Sequence, residues 1–460
     1  MQITDTIVAP ATATGKSSVS IIRISGADAL NIAKQIFVPK TEGKKIQDSK
    51  RTLIYGHIVE DGQIVDEVLL SYMKAPHTFT CEDIIEINCH GGNKSTEKII
   101  SLVLSKGARV AEKGEFTKRA FLNGRIDLSQ AESVMDIINA KTSKSFENAQ
   151  KQLSGKLGKT VDEMYKKIEM SLAQITVAID FPDEIDEEVT KKELITDLEE
   201  IISNLTKIKA TFKSGKILTD GINIAIVGKP NVGKSSLLNE LLEENRAIVT
   251  DVAGTTRDVI TESLDINGLI VNIMDTAGIR ETEDTVEKIG IERSISSIEN
   301  SDMALFMVDA SSALEKEDME LYSRVKDKEH IVIINKTDLD NKLYLEDILK
   351  NEDSKNIIYV SVKNKQGIEN IKNRIYEQAL SYETGDSVDS VIITNARHDS
   401  LLAKTIKSLQ DAKTALEGLV PFEILETDYY DALQYLGEIT GKSVTENLLD
   451  TVFDKFCIGK

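Results

Sequence analysis

A glycine-rich octapeptide, GKPNVGKS at residues 228–235, constrains the fold more than any other feature of the sequence. It follows the apolar run INIAIV, which is typical of a buried strand, and it precedes SSLLNELLEE, which has helical spacing. A glycine-rich loop between a strand and a helix is the P-loop pattern, in which backbone N–H groups and the helix N-terminus face phosphate groups. A chance glycine–lysine turn is a weak alternative, because all eight residues match in the required context.

The residues around this loop alternate between strand-like and helical segments from about 217 to about 380. The apolar, strand-like segments are INIAIV, GLIVNIMD, MALFMVD, HIVIIN and NIIYVS. Helical segments separate most of them, which predicts a mainly parallel sheet with helices on both faces. Asn267-Gly268 indicates a hairpin into GLIVNIMD, so we expect one antiparallel edge strand.

Motifs at the ends of later strands indicate that the ligand is a guanine nucleotide. DTAG (275–278) and NKTD (335–338) each end a strand, and SVK (361–363) follows NIIYVS. Asp338 is suited to accept hydrogen bonds from guanine N1–H and the exocyclic amine, a pair that adenine lacks. GTTRD (254–258) lies where a first switch loop belongs. The ordered set predicts a GTP-hydrolysing enzyme.

Each motif residue has an expected role in this site. Lys234 is expected to neutralise the β- and γ-phosphates during catalysis, and Ser235 and Thr256 to bind Mg²⁺. The predicted GTP-binding residues are Asn231, Val232, Gly233, Lys234, Ser235, Ser236, Thr250, Asp251, Val252, Ala253, Gly254, Thr255, Thr256, Asp275, Thr276, Ala277, Gly278, Asn335, Lys336, Asp338, Ser361, Val362 and Lys363.

One expected catalytic residue is missing from the sequence. Many G proteins place a water-orienting glutamine directly after the DTxG motif, but this chain has Ile279 there. An aliphatic side chain cannot orient water, and no arginine finger is evident. Hydrolysis therefore requires another polar residue and another positive charge.

The α/β region lies within other folded regions. Residues 1–118 have the mixed pattern of an α+β domain, with strand-like runs at 19–25, 63–73 and 84–90. Apolar residues at helical spacing dominate 119–215 and 384–460. We therefore predict a multidomain fold: an α+β domain at 1–118, a helical domain from 119–215 and 384–460, and an α/β P-loop G domain inserted at 216–383.

Charge and cysteine content limit the possible partners and compartment. The formal net charge is −20, of which residues 1–118 contribute +1. An acidic body is poorly suited to grip a phosphate backbone unaided, so any nucleic acid is expected to be held largely by a partner. The three cysteines, together with the absence of a secretory signal or an apolar run of membrane-spanning length, predict a cytoplasmic protein without a membrane partner.

Several motifs together resemble one family. GKPNVGKS, TDVAGTTRD, DTAGIRE and the C-terminal CIGK, with DTIVA, VSIIRISG and GEFTKRAFLNGRIDLSQAE in the N-terminal half, are similar to the MnmE (TrmE) family of tRNA wobble-uridine modification GTPases. The resemblance covers essentially the whole chain.

The resemblance implies a reaction and its participants. Members act with an FAD-dependent partner, MnmG, in a heterotetramer or larger complex. Together they attach an aminomethyl or carboxymethylaminomethyl group to C5 of the wobble uridine of tRNA. The one-carbon unit comes from a 5-formyl- or methylene-tetrahydrofolate bound by the N-terminal domain, which also forms a homodimer. The G domains dimerise across the nucleotide, with K⁺ supplying the charge of an arginine finger.

The resemblance also implies residue roles. Glu287 corresponds to the catalytic, water-orienting residue, although sequence alone favours a solvated helix charge there. The remaining carried-over residues are the K⁺ ligands Asn231, Thr250, Val252 and Thr255, the folate contacts Arg23, Glu86, Arg125 and Lys460, and a possible tail function at Cys457. Without the resemblance, Arg23 and Glu86 would be interpreted as ordinary charges at sheet ends. The sequence also predicts a helix over 442–456, and the four residues after it would be interpreted as a tail without function.

Two other function classes remain open at this point. A ribosome-assembly G protein would use GTP as a binding switch, but residues after 384 contain no G-x-x-G RNA clamp. A purely regulatory interaction protein would not need the CIGK tail.

Overall fold

The computed structural model describes residues 5–13, 15–184, 186–244, 262–274, 297–340, 352–380, 391–418 and 420–460. The chain divides into two compact units. The first comprises residues 1–135, 152–172 and 429–460, and the second comprises residues 136–151 and 173–428. Within the described ranges, no helix combines the length and the apolar composition that a membrane crossing requires.

A seven-stranded sheet forms the centre of the first unit. Its strands are β1 (Ile7–Pro10), β2 (Val19–Ser25), β3 (Phe37–Pro39), β4 (Ile54–Glu60), β5 (Gln63–Met73), β6 (Ile84–His90) and β7 (Arg109–Val110). They are arranged in the order β3-β4-β5-β6-β2-β1-β7. All neighbours are antiparallel except β1 and β7. The strands predicted at 19–25, 63–73 and 84–90 are β2, β5 and β6.

Six helices lie in the N-terminal part of the described chain, and the first two pack on this sheet. They are α1 (Ala29–Ile36), α2 (Asn93–Ser105), α3 (Glu115–Leu122), α4 (Leu128–Asn139), α5 (Ser143–Leu153) and α6 (Lys156–Asp180). The apolar sides of α1 and α2 share one core with β2, β4, β5 and β6. A separate cluster joins Ile7 and Ala9 of β1 to Phe116 of α3, with Phe79 packed against it.

The second unit contains the α/β region. Its strands are β8 (Ile222–Val227), β9 (Glu262–Ile266), β10 (Leu269–Met274), β11 (Met303–Asp309), β12 (His330–Asn335) and β13 (Ile357–Tyr359), in the order β13-β12-β11-β8-β10-β9. All pairs are parallel except β9–β10. Asn267 and Gly268 join that pair with φ angles of 54° and 84°. The predicted antiparallel edge strand is therefore confirmed.

The remaining helices within the described residues flank these strands in the sequence. They are α7 (Glu187–Ala210), α8 (Phe212–Asp220), α9 (Lys234–Glu244), α10 (Lys316–Val325), α11 (Ile368–Leu380), α12 (Ala396–Glu417), α13 (Phe422–Thr440) and α14 (Glu446–Phe453). Helices α4, α5, α6 and α13 contribute residues to both units.

Helices α7 and α12 pair, although the α/β region separates them in sequence. The carboxylate of Asp186 accepts hydrogen bonds from the first turn of α7, which fixes its start. Each helix buries one apolar stripe, as its spacing predicts. Lys413, the polar interruption of the α12 stripe, forms an ion pair with Glu199 of α7 at 2.7 Å.

The α/β region is an insertion between these helices. The Thr211 hydroxyl accepts a hydrogen bond from the Ile393 N–H at 3.1 Å. The segments that enter and leave the α/β region therefore lie side by side. A Cβ atom on Gly215 would lie 2.0 Å from the Ile393 oxygen, so this crossing requires glycine. These contacts confirm the predicted fold class, while the domain bounds drawn from the sequence stay a prediction.

The tail helix differs from its prediction. The sequence predicts a helix over 442–456, whereas α14 covers Glu446–Phe453. The Thr445 hydroxyl accepts a hydrogen bond from the Leu448 N–H at 3.3 Å and caps a later start. Phe456 is nevertheless buried, because it packs with α4 and α14 from a turn beyond the helix.

Candidate functional site

The P-loop joins the carboxyl end of β8 to the first residue of α9. A Cβ atom at Gly228 would lie 2.3 Å from the Met307 oxygen of β11, so this position requires glycine. Asn231 is exposed and has a φ angle of 63°, in the left-handed region that asparagine tolerates. Ser235 and Ser236 are exposed in the first turn of α9, at the positive end of the helix dipole.

Lys234 has an electrostatic environment suited to an anion. Its Nζ donates hydrogen bonds to the backbone oxygens of Gly228 at 2.6 Å and Lys229 at 2.7 Å. Burial lowers the pKa of Lys234 to about 8, against a raising influence from Glu317. A partly buried ammonium group with carbonyl partners is stabilised by a phosphate placed beside it. These residues fit a nucleotide phosphate.

Asn335 joins the two loops at the carboxyl edge of the sheet. Its Nδ2 donates to the Val232 oxygen at 2.8 Å, and its Oδ1 accepts from the Val362 N–H at 3.1 Å. A Cβ atom on Gly233 would lie 2.3 Å from that Nδ2. Asn335 therefore holds the P-loop against the SVK loop, and its amide is occupied by protein partners.

Asp338 and Lys336, which the sequence predicts to recognise the base, lie just after the carboxyl end of β12. The Ser361 hydroxyl donates to Asp338 Oδ1 at 2.7 Å, and this hydrogen bond lowers the pKa of the Asp338 carboxyl. Lys336 has a φ angle of 64° and forms an ion pair with Asp309 at 2.6 Å. The exposed carboxylate is ionised and oriented, as recognition of guanine N–H donors requires. Lys363, also predicted at this site, is exposed.

Two further ion pairs hold these loops, and the sequence analysis missed them. Lys229 contacts Asp318 at 2.7 Å and Glu315 at 3.1 Å, at the N-terminal end of α10. Lys365, just after SVK, contacts Glu240 of α9 at 2.8 Å. The sequence carries no signal for these pairs, because each joins distant segments.

The other predicted nucleotide and metal residues lie outside the described residues, as does Ile279. They are Thr250, Asp251, Val252, Ala253, Gly254, Thr255, Thr256, Asp275, Thr276, Ala277, Gly278 and Glu287.

A second candidate site lies in the first unit, around Phe79. Arg23 of β2 and Glu86 of β6 are register partners and form an ion pair at 2.8 Å. The Arg23 guanidinium carbon lies 5.9 Å from the Phe79 ring centroid, and that of Arg125 lies 4.8 Å from it. Arg125 also donates to the Phe79 oxygen at 3.2 Å. The structure therefore brings Arg23 and Arg125 to one phenylalanine, with Glu86 paired to Arg23.

A cavity of about 560 Å³ opens beside this phenylalanine. Its lining residues are Arg51, Met73, Pro76, His77, Thr78, Phe79, Cys81, Asn123, Gly124 and Arg125. The volume falls within the range typical of small-molecule sites. Of the predicted folate contacts, Arg125 lines the cavity, whereas Arg23, Glu86 and Lys460 are not among its lining residues. An aromatic ring with a guanidinium group against it suits a flat heterocycle that carries carboxylates, so Phe79 and Arg125 fit a folate.

Buried hydrogen bonds fix the segment that carries Phe79. Arg119 is 1% exposed and donates to Glu82 at 3.1 Å. Ser25 donates to the same carboxylate at 2.7 Å, and Ser25 and Thr80 share a hydrogen bond of 2.7 Å. Sequence reasoning missed Phe79, Arg119 and Glu82, since only the fold brings them together.

The C-terminal segment reaches the same region. The Lys460 oxygen accepts from the Phe116 N–H at 3.1 Å, and the Phe116 ring lies 5.7 Å from the Arg23 guanidinium carbon. A Cβ atom on Gly459 would lie 2.0 Å from the Pro10 oxygen, so the segment passes close to the end of β1. Cys457 is exposed, and its backbone oxygen accepts from the Gly114 N–H at 3.3 Å.

The chain is similar to known proteins over its full length. The family model described as the MnmE helical domain matches residues 128–457, and the one described as the GTP-binding protein TrmE N-terminus matches residues 6–125. The tRNA modification GTPase MnmE of Clostridioides difficile is 50% identical over 461 residues, covering 100% of both chains. The proteins of the same name from Alkaliphilus metalliredigens and Finegoldia magna are 48% and 44% identical, over at least 99% of each chain.

Proposed function

Since the chain belongs to the MnmE family of tRNA modification GTPases, we propose that it couples GTP hydrolysis to the modification of wobble-uridine C5 in tRNA. With an FAD-dependent MnmG-like partner, it adds an aminomethyl or carboxymethylaminomethyl group. The observation that carries this proposal is the presence, in one chain, of a P-loop lysine beside the ordered NKTD loop and of a cavity of small-molecule size lined by Phe79 and Arg125.

The nucleotide site supports GTP binding through charge and orientation. Lys234 holds a positive charge where the β- and γ-phosphates belong, and Asp338 presents an ionised carboxylate to the base. Ser235 and Thr256 supply oxygen ligands for Mg²⁺, which neutralises the charge that develops on the phosphates. Asn335 keeps the phosphate and base loops at a fixed separation through its two hydrogen bonds.

Hydrolysis by this site needs a charge and a water-orienting group beyond the P-loop. The proposed K⁺ ligands are Asn231, Thr250, Val252 and Thr255. The exposed amide of Asn231 fits this role, because amide oxygen is a suitable ligand for a hard cation. Glu287 is the proposed water-orienting residue, in the absence of a glutamine at position 279. K⁺ binding accompanies dimerisation of the G domains across the nucleotide.

The Phe79 cavity is the proposed site for the tetrahydrofolate derivative. Arg125 and Arg23 lie against the ring that the pterin would approach, and Glu86 can accept hydrogen bonds from its N–H groups. The donor supplies the one-carbon unit, while these residues bind and orient it. Lys460 and Cys457 are the proposed contributions of the tail, because the Lys460 oxygen contacts Phe116, whose ring faces Arg23. A homodimer of the N-terminal domain is the proposed assembly. A cytoplasmic location stays a prediction.

The experiment that tests this function is reconstitution with an unmodified tRNA transcript. The full chain, an MnmG-like protein with FAD, GTP and a tetrahydrofolate donor are combined, and the nucleosides are analysed by mass spectrometry. We expect a mass increase on the wobble uridine that requires every component. A product that forms equally well without the full chain would exclude the proposed role.

A further inference from the structure

An exposed basic segment, residues 40–51, is not used by the function described so far. Its sequence, KTEGKKIQDSKR, contains five Lys or Arg residues and two Asp or Glu residues. Residues 1–118 carry a net charge of only +1, and the rest of the chain is strongly acidic. The basic segment is therefore a positive surface on a negative protein.

The basic segment is ordered, and its lysines point outward. Ile46 is 4% exposed and belongs to the core beneath the sheet. The Lys40 N–H donates to the Tyr55 oxygen at 3.0 Å, which ties the start of the segment to β4. Lys44, Lys45 and Lys50 are exposed, and within the described ranges none of them forms an ion pair with a carboxylate. Their charges are available to a ligand.

The end of the segment borders the Phe79 cavity. The Arg51 N–H donates to the Tyr72 oxygen at 2.8 Å, so Lys50 and Arg51 run beside β5. The Arg51 side chain donates to the His77 oxygen at 2.6 Å and lines the cavity. Exposed Lys74 follows Met73, which lines the same cavity. Positive charge therefore continues from the cavity rim along the basic segment.

We propose that the basic segment binds the sugar–phosphate backbone of tRNA beside the target nucleotide. This inference rests on the proposed function. A base that reaches a folate-bound one-carbon unit must leave its stack, and its own and neighbouring phosphates then lie at the cavity rim. Lysine contacts to phosphates position the RNA without reading sequence. An acidic body makes a confined positive surface necessary, because long-range repulsion otherwise opposes binding.

The test uses the full chain with Lys44, Lys45 and Lys50 replaced by glutamine. The control replaces Lys34, Lys94 and Lys106 by glutamine, which gives the same change in net charge at exposed positions of α1, α2 and the turn after α2. Binding of unmodified tRNA is measured between 50 and 200 mM salt, together with GTP hydrolysis and binding of 5-formyltetrahydrofolate. Arg51 is left intact because it lines the cavity.

The three substitutions should weaken tRNA binding and make it less dependent on salt. With each single-strand phosphate contact contributing about 0.7 to the slope of log affinity against log salt, three contacts reduce the slope by about 2. GTP hydrolysis and folate binding should match wild type, and the control should keep the wild-type slope.

Three outcomes overturn the inference. One is an unchanged salt slope in the variant, and another is an equal loss of tRNA binding in the control. The third is a loss of folate affinity with unchanged tRNA binding, which would assign the lysines to the carboxylate tail of the folate. If the wild-type protein modifies tRNA and the variant binds tRNA normally, only this inference is excluded. Failure of wild-type protein to modify tRNA in the reconstituted reaction removes the proposed function itself.

Discussion

The ammonium group of Lys234 illustrates how a single residue links burial to function. Burial among backbone oxygens lowers its pKa to about 8 in the free protein. A bound phosphate raises this pKa again, so binding takes up a proton once the pH exceeds about 8. The contribution of Lys234 to affinity is therefore fully present below pH 8 and is lost as the pH rises above it.

The direction of this pKa change predicts how GTP affinity depends on pH between pH 7 and pH 9. Affinity should be nearly constant up to pH 8 and then fall by at most tenfold per pH unit, the limit for one proton taken up. Lys234→Arg is the control, because its guanidinium stays charged throughout while the nucleotide titrates identically. A wild-type affinity that stays parallel to the control up to pH 9 would contradict the prediction.

For Asn335, the sequence predicts the position of the residue but not its hydrogen-bond partners. The NKTD motif predicts its place at a strand end, and it does end β12. Its hydrogen-bond partners, Val232 and Val362, are 103 and 27 residues away, so the sequence could not show that its amide joins two loops. Phe79 is a similar case, because the two arginines beside it come from β2 and from the turn after α3.

At the scale of elements, the α7–α12 pair offers a prediction that separates apolar packing from surface charge. Leu409 is fully buried, so Leu409→Ala should lower the free energy of unfolding by about 2–5 kcal/mol. Lys413→Ala removes an ion pair with a largely exposed partner and should lower the free energy of unfolding much less. Urea unfolding followed by circular dichroism compares the two. Equal losses would mean that the apolar stripe does not hold the pair together.

The C-terminal tail gives a second prediction at this scale. Deleting residues 457–460 should abolish tRNA modification and leave GTP hydrolysis close to normal, because the tail contacts β1 and α3 rather than the P-loop. Cys457→Ser keeps the backbone contacts and isolates the contribution of the thiol. Modification is measured by nucleoside mass spectrometry in a complemented deletion strain. Full modification by the truncated protein would mean that the tail has no role.

Elements with a strong period were predicted well, and the shortest ones were not. Strands β2, β5, β8, β11 and β12 have the bounds that their apolar runs predict. Strands β3 and β7 contain three and two residues, too few to show an alternation, and their neighbours in the sheet determine them. The tail helix is also shorter than its apolar spacing predicts, since Thr445 caps a later start and Phe456 is buried from a turn beyond the helix.

At the scale of the whole molecule, the proposed K⁺ site predicts cation-dependent hydrolysis. A transition-state charge of the arginine-finger type contributes about 10³–10⁵-fold in rate. GTP turnover should therefore be much faster in KCl than in NaCl at equal ionic strength. Nucleotide affinity measured in both salts is the control, since the cation acts on the transition state. Equal turnover in the two salts would contradict the proposal.

The proposed function requires this chain for modification of the wobble uridine. The most direct measurement is the mass spectrum of tRNA nucleosides from cells with and without the gene. We predict that the C5-modified wobble nucleoside disappears when the gene is deleted. It should return with the wild-type chain but not with Lys234→Ala, which removes the phosphate-facing charge. An unchanged wobble nucleoside in the deletion strain would contradict the claim and favour a G protein with another role.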